Sequence, residues 1–169
     1  MTVTAVRKDP DALTLTLDAE FDASPERLWQ LWADPRQLER WWGPPGYPAT
    51  FTAHDFRVGG RSEYYMTGPE GPTSLTGYWE ILDLDPPRRM RIEDGFADDG
   101  TQNDLPGPGG MNVTIEPIGD GRTRMTIEST FPDLSAMEQL LAMGQAEGMT
   151  EALGQIDAIL AEDVAPARA

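Results

Sequence analysis

The stretch Leu134–Leu160 reads LSAMEQLLAMGQAEGMTEALGQIDAIL. Apolar or small residues fall at 137, 140, 141, 148, 149, 152, 153, 156, 159 and 160, the spacing of one helix face. The pattern predicts a single helix of about seven turns, with Asp133 as its cap. Along it Met137, Leu141, Gln145, Met149, Leu153, Ile156 and Leu160 form one stripe. A helix this apolar on one side needs a partner surface, and the chain before it supplies one.

That chain is rich in strands. Leu13–Phe21 alternates, with Leu13, Leu15, Leu17, Ala19 and Phe21 against Thr14, Thr16, Asp18 and Glu20, which is a half-buried strand. Ser24-Pro25-Glu26 starts a short helix and Asp34-Pro35 a second, ended by Gly43-Pro44-Pro45-Gly46. Strands are then predicted at Tyr47–Phe56, Arg61–Thr67, Ser74–Leu84, Met90–Phe96, Met111–Pro117 and Arg124–Phe131. In the second of these, Ser62, Tyr64 and Met66 share one face and Glu63 and Tyr65 the other. Ala97–Gly110 is dense in Gly, Pro, Asn and Asp and reads as a mobile loop. The fold class is α+β: two short helices after the first strand, about six or seven antiparallel strands, and one long helix over their concave face.

The chain has 169 residues and reads as one domain, 1–169, with a core at about 13–161 and loose ends at 1–11 and 164–169. Net charge is −16, from 29 acids and 13 bases, and Lys8 is the single lysine. Nucleic acid and anionic membranes are disfavoured partners for such a surface. Cysteine is absent, which excludes disulfides and thiolate chemistry and fits a cytoplasmic setting. No apolar run is long enough for a membrane helix, and the N-terminus lacks the apolar core of a signal peptide.

Several segments together resemble the SRPBCC (START-like, helix-grip) superfamily and, within it, the family called activator of Hsp-90 ATPase homologue-like. They are Phe21–Trp29, Trp32-Ala33-Asp34-Pro35, Leu38, Trp41-Trp42-Gly43-Pro44, Asp55–Arg61, Gly77–Ile81 and Asp85–Met90. The resemblance implies a curved antiparallel sheet gripping the last helix, with a cavity between them. It covers about residues 13–161. Two features depart from the family pattern. Gly148-Met149 stands where relatives often carry Gly-Trp, and the 97–110 loop is longer, reading as a lid or as slack.

Candidate chemistry is sparse. His54 is the single histidine, and a strand-filling role suits it better than a general base, because Asp55 beside it points to the opposite face. No nucleophile elbow, phosphate loop or metal-ligand spacing occurs. We therefore expect no catalytic residues, metal or cofactor. The expected cavity wall comes from three places. Near the short helices it takes Trp32, Trp41 and Trp42. From the strands it takes Phe51, Tyr64, Met66, Tyr78, Met90 and Ile92, together with Met111 and Val113. From the last helix it takes Met137, Leu141, Gln145 and Met149. Gln145 is out of place in a dry core, since a buried amide needs partners.

The function expected from this is binding of a small apolar or aromatic molecule by a stand-alone domain, monomeric or homodimeric. An enzyme of the cyclase or dehydratase type, using the same cavity, is the alternative, with Tyr64, Tyr78 or Glu63 as acid–base groups. A co-chaperone-like regulator of the Hsp-90 ATPase is a further one, although no additional chaperone-binding module is expected here.

Overall fold

The computed structural model describes residues 3–69, 71–97 and 108–164. Among them, eight strands form one antiparallel sheet: β1 (Val3–Asp9), β2 (Thr14–Phe21), β3 (Ala49–His54), β4 (Arg61–Gly68), β5 (Gly71–Asp85), β6 (Arg89–Ala97), β7 (Gly109–Gly119) and β8 (Arg122–Thr130). Their spatial order is β1-β2-β8-β7-β6-β5-β4-β3. Helices α1 (Pro25–Ala33) and α2 (Pro35–Trp41) lie between β2 and β3, and α3 (Leu134–Ala142), α4 (Gln145–Gly154) and α5 (Ile156–Val164) follow β8.

Alternation decides which sheet face is inside. Leu15, Leu17, Ala19 and Phe21 on β2 are buried, and their β8 neighbours Met125 and Ile127 are buried with them. Register shifts at Phe51/Ala53, Tyr65/Thr67, Ile81/Asp83 and Pro117/Gly119 bend the strands. The result is the helix-grip architecture, a curved sheet closed over by helices. No helix of the described residues is long and apolar enough to cross a membrane.

The short helices start as their caps dictate. The Ser24 side chain accepts from the Arg27 N–H at 3.1 Å, and Asp34 accepts from the Arg36 N–H at 3.0 Å. Both bury their apolar faces: Leu28, Leu31, Trp32, Leu38 and Trp41 are all fully enclosed. Trp32 meets Trp41 edge-on at 4.8 Å, and Trp42 meets Trp79 edge-on at 5.0 Å. These helices plug one end of the sheet.

Three features differ from the sequence expectation. Residues 3–9, expected to be loose, form edge strand β1, paired to β2 from Val3↔Ala19 to Asp9↔Thr14. Only Val3 and Ala5 of that strand are half-buried, so its apolar signal is faint. The strand count is therefore eight. The C-terminal helix is interrupted as well. Gly144 adopts φ +91°, a left-handed conformation that ends α3 and restarts the chain as α4. A second break falls at Gln155, whose Nε2 donates to the carbonyls of Gly43 at 2.7 Å and Trp41 at 3.3 Å. That amide satisfies the carbonyl end of α2, which would otherwise be orphaned.

Of the expected 97–110 loop, Ala97 ends β6 and Gly109–Gly110 start β7. Residues 98–107 lie outside the described residues, as do 165–169 at the expected loose C-terminus. Val164 itself belongs to α5.

Candidate functional site

A cavity of about 490 Å³ opens between the sheet and the helices α3 and α4. Tyr64 and Met66 of β4, Phe96 of β6 and Met111 of β7 form its sheet wall. Leu140, Met143, Gly148 and Met149 form its helical wall. Trp42, Tyr47, Phe131 and Pro132 line it as well.

Two glycines make the space. Tyr64 pairs directly with Gly77 across β4 and β5, and a Cβ at Gly77 would collide with the Tyr64 ring. The absence of that atom lets the ring lie flat on β5. Gly148 faces the cavity from α4, and a Cβ there would meet nothing within 4 Å.

A few polar groups enter this apolar wall. Asp94 pairs with Trp79 on β5, so it shares the inner face with that fully buried ring. Burial pushes its carboxyl up to about 6, and the neighbouring Glu93 charge adds to the effect. The Tyr64 hydroxyl is held well above the ordinary phenol range, first by burial and second by the Asp94 charge. Gln145 Oε1 and Trp42 Nε1 are buried without hydrogen-bond partners. Ser129 and Thr130 add hydroxyls at the end of β8.

The comparisons with known proteins bear on this arrangement. The family described as Activator of Hsp90 ATPase homolog 1-like protein matches residues 22–161. The chain belongs to that family. A protein from Arthrobacter aurescens, solved in solution, is 49% identical over 99% of this chain and 95% of its own, with TM-score 0.88. The crystal structure of protein Ms6760 from Mycobacterium smegmatis is 46% identical over 95% of this chain and 99% of its own, with TM-score 0.83. A Rhodobacter sphaeroides protein at 24% identity and TM-score 0.80, over 94% of this chain and 99% of its own, shares the fold. No curated protein matches the chain.

Within this Hsp90-activator-like fold the expected wall residues divide. Trp42, Tyr64, Met66, Met111, Gln145 and Met149 line the cavity. Trp32, Trp41 and Phe51 instead fill the core behind Trp42, where rings pack against rings. Met90, Ile92, Val113 and Met137 are also buried in the core and do not reach the cavity. Tyr78 is on the outer face, one position out of register with Trp79, where Arg61 stacks on its ring at 4.5 Å. Leu141 is half-buried outside the cavity wall, and its neighbour Leu140 lines the cavity instead.

Asp94 was missed, although the strand reading contained it. Met90, Ile92, Asp94 and Phe96 alternate, so an acid stood at an inward position. Ser129 was legible in the same way from Met125 and Ile127.

His54 lies away from the cavity. Its Nε2 is 2.8 Å from the Trp32 carbonyl and its Nδ1 is 2.8 Å from Ser62 Oγ. A carbonyl only accepts, so Nε2 carries the proton and Nδ1 accepts from the fully buried Ser62 hydroxyl. Burial lowers the pKa of the ring, opposed by its backbone partners. This is a neutral tie between α1 and the β3–β4 pair.

Proposed function

We propose that this protein binds a small molecule with an apolar or aromatic body in the cavity between its sheet and α3–α4. The carrying observation is a roughly 490 Å³ apolar space into which Gln145 brings a buried carbonyl oxygen with no partner. The volume lies in the range of small-molecule sites, about 300–1,000 Å³. A buried acceptor without a donor costs about 1–3 kcal/mol, which a ligand donor would recover. Native mass spectrometry of the protein as purified, with displacement of a neutral fluorescent arylamine, tests the reading. We expect one ligand per chain and saturable displacement. A protein that takes up no apolar probe contradicts it.

A cyclase- or dehydratase-like activity is the second reading, favoured by one observation. Asp94, its carboxyl raised to about 6, and Tyr64 share the cavity with Gln145, so a titratable group faces any bound substrate. Turnover that survives Asp94→Asn would remove the carboxyl from that role. Regulation of a chaperone ATPase rests on the family description alone. A purified chaperone whose ATPase is unmoved by this protein ends that reading.

A further inference from the structure

We infer that the polar head of the ligand is a protonated amine; this rests on the cavity-binding reading and narrows it. The wall carries one acid, Asp94, and no Lys, Arg or His. Asp18 faces Arg7 and Asp163 faces Arg27, whereas no cation pairs with Asp94 among the described residues. The ionisable groups around it are of the wrong kind to neutralise it. Glu93 is an acid on the same strand, and Tyr64, facing from β4, stays neutral. From β7, α3 and α4 the facing groups are Met111, Leu140, Gln145 and Met149, none of them ionisable.

Asp94 is half-buried, and a partly desolvated carboxylate without a counter-charge carries a cost that an ammonium group from outside would offset. Gln145 Oε1, a buried acceptor without a partner, lines the same cavity and would take a further N–H. The rings of Trp42, Tyr64 and Phe96 in the wall favour a cation through their negative faces. An anionic head would meet like charge in a low-dielectric space, and the net charge of −16 would repel it before entry. A neutral hydroxyl would gain the hydrogen bonds without the charge pairing.

Calorimetric titration of the intact protein with phenylbutylamine, phenylbutanol and phenylbutyrate at neutral pH separates these. The amine is expected to bind about tenfold more tightly than the alcohol, with the carboxylate weakest. Asp94→Asn should abolish the preference for the amine over the alcohol. Amine affinity for the unaltered protein should also fall as pH drops through the Asp94 range, while alcohol affinity stays level; this arm needs no variant to fold. Alcohol or carboxylate binding as tight as the amine overturns the amine inference and leaves the cavity reading standing. Failure of all three to bind overturns the cavity reading itself.

Discussion

Asp94 and His54 are both half-buried, and they bend the stability of the fold in opposite directions with pH. The Asp94 carboxyl is raised from 3.8 to about 6, so the folded state holds its proton more tightly than the unfolded chain. Stability from this group is full below 3.8 and lost as pH rises through about 6. Asp94→Asn should therefore be more stable than the parent at neutral pH, by on the order of 2–3 kcal/mol. The difference should vanish toward pH 4, read by urea denaturation across that range. His54 behaves the other way. Its pKa is lowered from 6.5, so its contribution is present above 6.5 and is lost as acid protonates the ring. His54→Gln should flatten the acid limb of the stability curve.

What could be read at this scale was residue type and periodicity. Gln145 was legible because an amide on an apolar helix stripe is chemically out of place. Tyr78 was misplaced because period two leaves two answers, and only the pairing of Gly77 beneath Tyr64 chooses between them.

At the scale of elements, the C-terminal helical run carries the main lesson. Its apolar or small positions fall on one face on both sides of 142–147, so a continuous helix satisfies the pattern. The break at Gly144 depends on backbone conformation, which a glycine permits without announcing. Gly144→Ala would force a side chain into φ +91° and should destabilise the protein by about 1–2 kcal/mol, measured by thermal unfolding. A reading in which α3 and α4 are one helix predicts the reverse, since alanine outranks glycine inside a helix. Edge strand β1 stayed hidden for another reason. Its pairing partner is β2, and its own side chains are mostly exposed, so hydrophobicity marks it weakly.

For the whole molecule, the acid excess sets the long-range behaviour. A net charge of −16 on one compact chain repels itself at low ionic strength. Salt shortens the Debye length from about 30 Å at 0.01 M to about 3 Å at 1 M. Added salt should thus raise the melting temperature, even though it weakens surface pairs such as Arg27–Asp163. A melting temperature that falls with salt would mean that those pairs matter more than the global repulsion. The architecture as a whole was legible from alternation, caps and the family segments. Part of the cavity wall was legible too, from Trp42, Tyr64, Met66, Met111, Gln145 and Met149; its size and the rest of its lining were not, because they depend on where curvature and the helix break leave space.

The central claim is that this space holds a ligand. Gly148 offers a direct way to close it, since a side chain there enters open volume instead of packed atoms. Titration of phenylnaphthylamine into the parent and Gly148→Leu, followed by fluorescence, makes the comparison. The account predicts saturable binding to the parent and its loss in the variant, with the variant as stable or more stable, by up to about 1 kcal/mol from helix propensity. Equal binding by both folded proteins, or none by the parent, would contradict it.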